Sequence, residues 1–155
     1  MNHLVSYADT DAAGVLHHAR YIELAERGYL EWMKRRNLSF RKLNLDHNVT
    51  LVVCDITARY RAAVLLEEEV QIVTKLQAID RTGLHWKTVI MKDGQVSFSM
   101  LTKMACVDNV TKTIISVPDL FVARLVSEVE PVKMTKRRSS STRLVTGSSC
   151  ADVLR

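Results

Sequence analysis

The stretch Tyr7-Ala8-Asp9-Thr10-Asp11-Ala12-Ala13-Gly14-Val15-Leu16-His17-His18 holds two carboxylates, a glycine turn and two imidazoles, just ahead of a segment with helical periodicity. A carboxylate near the free N–H groups of a helix start is the minimum equipment for attacking a carbonyl and holding the resulting oxyanion. Each residue also has an ordinary reading. Asp-Ala-Ala-Gly is good turn chemistry, so Asp11 alone reads equally well as a turn or helix-capping aspartate. Asp9 reads as a turn former that bonds the loop backbone, not as a catalytic group. Gly14 lets the chain turn and lets backbone N–H groups approach a ligand. His18 offers both an N–H at the positive end of a helix dipole and an imidazole. His17, His18, Asp9 and Asp11 lack the His-x-x-x-His register of a helical metal site, so no metal is expected.

The elements that must position these groups are legible as periodicities. Residues 18–36 read as one amphipathic helix, with Tyr21, Ile22, Ala25, Tyr29, Trp32 and Met33 on the buried face. Leu24 and Leu30 widen that face. Glu23 with Arg27 and Glu31 with Arg35 are i,i+4 pairs on the wet side. Gly28 is costly inside a helix and points to close approach of another backbone, and Asn37 is the expected stop. Residues 3–8 read as a short first strand. From Val52 to Val64 the even positions are apolar and the odd ones include Asp55, Thr57, Arg59 and Arg61, the alternation of a long half-buried strand. Residues 69–79, 84–90 and 96–104 repeat it, linked by Asp80-Arg81-Thr82-Gly83 and Asp93-Gly94 turns, which makes an antiparallel meander. A last short strand is expected at 113–117 and a helical turn at 119–127. One long helix and a twisted sheet pack best with the sheet wrapped around the helix, an α+β arrangement.

At 155 residues, 47% hydrophobic and 25% charged, the chain is sized for one domain with a real core. There is no apolar run long enough for a membrane span and no signal-peptide pattern at the start. Cys54, Cys106 and Cys150 are too widely spaced for a zinc motif or a disulfide framework, and a cytoplasmic setting is expected. The net charge of +5 lies wholly in residues 131–155, where six basic residues face one acid, while residues 1–130 balance 16 against 16. The division is therefore a domain at 1–130 and a basic, Ser-rich tail at 131–155, read as solvated and flexible. A neutral body argues against nucleic acid, and the tail suits weak contact with an anionic membrane surface. No Gly-x-Gly-x-x-Gly or Walker pattern is present, so nucleotide turnover is not expected.

The segment Y-A-D-T-D-A-A-G-V-L-H-H-A-R-Y, Tyr7 to Tyr21, followed by a Glu/Arg-rich helix, resembles the hotdog-fold acyl-CoA thioesterases. It is most similar to the Tol–Pal-associated branch, cousins of 4-hydroxybenzoyl-CoA thioesterase. Ala58-Arg59-Tyr60 and Ile115-Ser116-Val117-Pro118 add weaker similarity, and the resemblance covers roughly residues 4–128. It implies a five-stranded antiparallel sheet wrapped around one long central helix, paired into homodimers or homotetramers. It implies hydrolysis of a short-chain or aromatic acyl-CoA, or of an acyl-carrier-protein thioester, with coenzyme A as part of the substrate and no separate cofactor. The family aspartate falls on Asp11, as nucleophile or general base, and the backbone donor to the thioester carbonyl falls on His18. Tyr7 matches the tyrosine that precedes the motif and joins Asp11 and His18 as a catalytic candidate that hydrogen-bonds the site from the first strand, against the plain reading of a half-buried strand tyrosine. His17 stands where the family usually has tyrosine, which bears on the acyl pocket. Arg59, Arg61 and Arg81 are the candidates for the phosphates of coenzyme A, with Gly14 and His17 beside the substrate. The competing reading is a non-catalytic acyl-thioester binding or scaffold module at the inner membrane, since fold alone does not decide activity.

Overall fold

The computed structural model describes residues 1–126; the expected tail at 131–155 lies outside the described residues. Strand β1 is Asn2–Leu4, followed by a 3-10 turn at Tyr7–Asp9 and helix α1 at His18–Lys34. Helix α2 spans Phe40–His47, β2 Val49–Tyr60, β3 Glu69–Ile79, β4 Gly83–Lys92, β5 Gln95–Asp108 and α3 Asp119–Val126. All pairings are antiparallel in one five-stranded sheet of order β1-β3-β4-β5-β2, so β1 and β2 are its edges.

The helical stripe behaves as its spacing predicts. Tyr21, Leu24, Ala25, Tyr29 and Met33 are buried, while Trp32 and Ile22 are half-buried and Leu30 is exposed. Gly28 is where α1 comes closest to the sheet: a Cβ there would meet Thr74 Oγ1 at 2.4 Å and Ile72 Cγ2 at 3.0 Å. Asn37, with φ of 55°, ends the helical run, and the Leu38 N–H returns to the Met33 carbonyl at 3.0 Å. The Glu31–Arg35 pair forms, but Glu23 is held by Arg20 at i,i−3 rather than by Arg27.

The core divides along the helix. Around the first half of α1 sit Val5, Leu16, Tyr21, Leu24, Ala25, Val64, Val70, Ile72, Ile90, Phe98 and Met100. Around the second half sit Met33, Leu38, Leu43, Leu76, Leu84, Trp86, Met104 and Phe121. Burial of one such large side chain stabilises the fold by roughly 1.5–3 kcal/mol.

The strands depart from the sequence reading in four places. The first strand is only Asn2–Leu4, because Ser6–Asp9 turn to meet α1. β2 starts at Val49 and stops at Tyr60, with a register shift against β5 between Val53 and Asp55. That shift exchanges its faces: Val49 and Leu51 face the core before it, Ala58 and Tyr60 after it. Residues 113–117 make a single bridge, Ile114 to Val107, instead of a strand. α2 was not expected, although Ser39 caps it through a bond from the Lys42 N–H and Asn48 closes it with φ of 54°.

Candidate active site

Two aspartates separated by one residue, Asp9 closing the 3-10 turn and Asp11 beyond it, have opposite fates. Asp9 is 2% exposed and Asp11 is exposed. The turn between them and α1 is a small antiparallel ladder. The His17 N–H donates to the Asp9 carbonyl at 2.9 Å, Thr10 bridges Leu16, and the Asp11 N–H donates to the Val15 carbonyl at 3.0 Å. Gly14 completes the turn at φ of 72°, a conformation that favours glycine, with its N–H on the Asp11 carbonyl at 2.9 Å. The Leu16 N–H reaches the Val64 carbonyl at 2.7 Å and Val15 bridges Leu65, so the ladder is tied to the chain just after β2.

Asp11 stands on the outgoing arm. Its Oδ1 accepts the Ala13 N–H at 2.8 Å, and its Oδ2 has no partner among the described residues. His17 and His18 stand beyond the return arm, with rings 4.1 Å apart. His17 caps α1: its Nδ1 accepts the Ala19 N–H at 3.3 Å and its carbonyl accepts the Arg20 N–H at 2.9 Å. An accepting Nδ1 leaves the neutral ring's proton on Nε2. The His18 N–H, at the first position of α1, has no acceptor among the described residues. One hydrogen-bonded turn thus presents an open carboxylate oxygen and an unpaired helix-start N–H. Tyr7 is 80% exposed, and its carbonyl accepts the Thr10 N–H and hydroxyl.

Asp9 organises the turn. Its Oδ2 accepts the Ser6 N–H at 3.0 Å and the Ser6 hydroxyl at 2.7 Å, with His3 Nε2 at 3.0 Å. Its Oδ1 accepts Arg20 Nε at 3.0 Å and Nη2 at 2.6 Å. Burial alone would raise the pKa of this carboxyl, but the Ser6 N–H, Arg20, the Ser6 hydroxyl and His3 together hold it well below the usual carboxylate range. It is ionised at every physiological pH.

The arginines separate. Arg59 and Arg61 flank Tyr60 at the end of β2 and line a concavity of about 260 Å³ with Lys87, Thr57 and Ser99. No acid lines it. Lys87 is a cation that sequence reasoning missed: alternation along β4 turns it outward, but its meeting with Arg59 and Arg61 across β5 is a tertiary fact. Arg81 does not join them. It lies in the β3–β4 turn, where its carbonyl takes the Val117 N–H at 2.9 Å, at the end of the sheet packed by the second half of α1. The helix is roughly 25 Å long at 1.5 Å per residue, and Arg81 is at its far end from Asp11. A cavity of about 700 Å³ runs between the second half of α1 and β3 and is lined by none of the motif residues. Tyr7, Asp11, Gly14 and His18 of the motif are exposed, while Asp9 and Leu16 are buried beneath them. Among the described residues no His, Cys, Asp and Glu side chains gather in a group that could hold a metal ion, and no helix is long and apolar enough to cross a membrane.

A five-stranded antiparallel sheet in this order, packed on one long helix whose start carries the motif, defines the hotdog class of thioesterases. The model of the thioesterase-like superfamily matches residues 5–125, and the chain belongs to that family. An acyl-CoA thioesterase YbgC from Haemophilus influenzae is 28% identical over 104 residues, which is 67% of this chain and 76% of that protein. An acyl-CoA thioester hydrolase YbgC from Escherichia coli O157:H7 is 34% identical over 80 residues, 52% of this chain and 59% of that protein. Among solved structures, a 1,4-dihydroxy-2-naphthoyl-CoA thioesterase from Synechocystis superposes with a TM-score of 0.75 at 15% identity, over 81% of this chain and 93% of that one. A likeness at that identity shows the fold. The names of the YbgC relatives belong to the expected enzyme class, the thioester hydrolases.

Proposed function

We propose that this chain hydrolyses acyl-CoA thioesters with Asp11 as the reacting carboxylate and the His18 N–H as the oxyanion donor. The observation that carries the reading is the pairing, on one hydrogen-bonded turn, of an open Asp11 oxygen with an unpaired N–H at the start of α1. A thioester carbonyl seated over that N–H would gain positive potential from the helix dipole as its oxygen becomes negative. Asp11 then has two balanced routes. As nucleophile, its oxygen bonds to the carbonyl carbon, the tetrahedral oxyanion collapses, the C–S bond breaks and coenzyme A leaves as thiolate; water then cleaves the acyl–aspartyl anhydride. As general base, Asp11 takes a proton from water while the oxygen of that water bonds to the carbon, and the thiolate leaves as before. The Ala13 N–H holds one Asp11 oxygen in either route. Tyr7 and the His17 and His18 rings border the acyl group, and Gly14 lets the backbone approach it. Arg59 and Arg61, with Lys87, take phosphates of the coenzyme.

The acyl group is a short-chain or aromatic one, the range the resemblance implies, and acyl-carrier protein is the second donor. A second copy of the chain completes the site. Support comes from the exposure of Tyr7, Asp11 and His18, from their absence from the 700 Å³ cavity beside α1, and from the outer edge of β2, which has no partner strand among the described residues.

The test is thiol release from a panel of acyl-CoAs by wild type and Asp11→Asn. Turnover should fall by about two orders of magnitude or more in the variant. Near wild-type turnover in Asp11→Asn removes Asp11 from the mechanism. Saturable binding of acyl-CoA with no thiol release from any member of the panel makes the chain a binding module.

A further inference from the structure

A carboxylate taken out of water must be compensated, and the way Asp9 is compensated divides its two oxygens between two parts of the chain. Everything on Oδ2 comes from the N-terminal side: His3 on β1 and the N–H and hydroxyl of Ser6. Everything on Oδ1 comes from α1, through Nε and Nη2 of Arg20. Asp9 is therefore the joint between the first strand and the helix. From the same residue hangs the ladder that carries Asp11 on one arm and leads to His18 on the other. Arg20 sits two residues after His18 on α1 and is also held by Glu23. Asparagine cannot replace Asp9 in this place. Both oxygens accept, and an amide would turn an N–H₂ toward donors in either orientation.

We propose that Asp9 and Arg20 are positioning residues: their ion pair fixes the separation of the Asp11 carboxylate from the His18 N–H, and so controls the chemical step without touching substrate. The proposal rests on the site reading above. Asp11 is bound to the ladder through its own N–H, and the His18 N–H is fixed by the first turn of α1. The only side-chain link between the N-terminal side of the ladder and that first turn, among the described residues, is the Asp9–Arg20 pair. A misplacement on the order of 1 Å between a reacting group and its partner costs about a hundredfold in rate.

The experiment compares wild type, Arg20→Met, Arg20→Lys and Asp9→Asn by steady-state thiol release from an acyl-CoA that wild type turns over, and by amide hydrogen exchange. In Arg20→Met the Asp9 carboxylate keeps the Ser6 and His3 donors, and the protection of β4 amides reports whether the fold survives in each variant. In Arg20→Met, kcat should fall by about ten- to a hundredfold with KM within about twofold. Arg20→Lys should recover part of that loss, since it restores the charge without the planar donor set. Exchange at the amides of Asp11, Ala13, Gly14 and His17 should quicken at least about tenfold in Arg20→Met, while β4 amides such as Val89 keep their protection. Wild-type kcat in Arg20→Met, or a rise confined to KM, overturns the proposal. So does a loss of protection that extends equally to β4, which makes the pair a general structural element. If wild type releases no thiol from any acyl-CoA, the site reading fails instead, and the exchange pattern alone decides the role of the pair.

Discussion

Tyr60, the last residue of β2, donates its hydroxyl to the carbonyl of His18, the first residue of α1, at 3.0 Å. The same ring lies edge-on to Tyr21 at 5.5 Å and against Phe98 at 4.9 Å. The far edge of the sheet is thereby fastened to the end of the helix that presents the site.

Tyr60→Phe keeps those ring contacts and removes one neutral hydrogen bond at a partly exposed position. Stability should fall by about 1 kcal/mol or less. Turnover should drop by a few-fold, since the hydroxyl acts on His18 through its carbonyl. Thermal unfolding beside thiol-release kinetics checks both; a loss of turnover matching that of Asp11→Asn would give the hydroxyl a direct chemical part.

Gly28→Ala sets helix propensity against sterics. Alanine gains about 1 kcal/mol inside a helix. Its methyl, however, would stand 2.4 Å from Thr74 Oγ1, which is itself bonded to Thr88 Oγ1 at 2.9 Å. Either that buried bond breaks or α1 lifts from β3, a cost of about 1–3 kcal/mol. The expected net result is a lower denaturation midpoint in chemical unfolding, not the gain that a surface glycine would show.

The Asp9 cluster predicts acid lability with a definite sign. The folded-state pKa of Asp9 lies well below the value of about 4 that it has in an unfolded chain. Its contribution is therefore complete above about pH 4 and is lost as pH falls below that toward the folded value. Glu68, Asp80 and Asp108 are also lowered, by bonds from Leu65 and Lys92, from His85 and Thr82, and from Thr111 and Val110, but they are more exposed and more screened. Asp9→Ala should be less stable than wild type near pH 7, because Ser6, His3 and Arg20 lose their shared acceptor. That difference should shrink as pH drops below about 4, which thermal melts across a pH series measure directly.

Assembly follows from the open edge and the open site. Among the described residues β2 is an outer strand of twelve residues with no strand on its far side, and Val53 and Ile56 are exposed along it. Light scattering at micromolar concentration should give at least a two-fold symmetric dimer, and turnover per chain should fall on dilution through its dissociation. A monomer with undiminished turnover would place the whole site within one chain.

Much of this protein is written in local sequence. The apolar spacing from Tyr21 to Met33 determined α1 and its buried face, and alternation in residues 69–104 determined three strands and their inner residues. Gly28 announced a close contact, and Asp-x-Asp with Gly14 announced a turn before a helix. These succeed because helical and strand periods are properties of a few successive residues, and each residue type states whether it can leave water. What tertiary structure alone decided concerns pairs that are remote along the chain. The register shift between Val53 and Asp55 exchanged the faces of β2 and turned Val49 and Leu51 to the core, against the alternation that held at Ala58 and Tyr60. Sheet order parted Arg81 from Arg59 and Arg61 and added Lys87. Asp9 and Asp11 are alike in type and neighbourhood. Only the convergence of His3, Ser6 and Arg20 buried one among five donors and left the other exposed, because burial and hydrogen bonding depend on what the folded chain brings together.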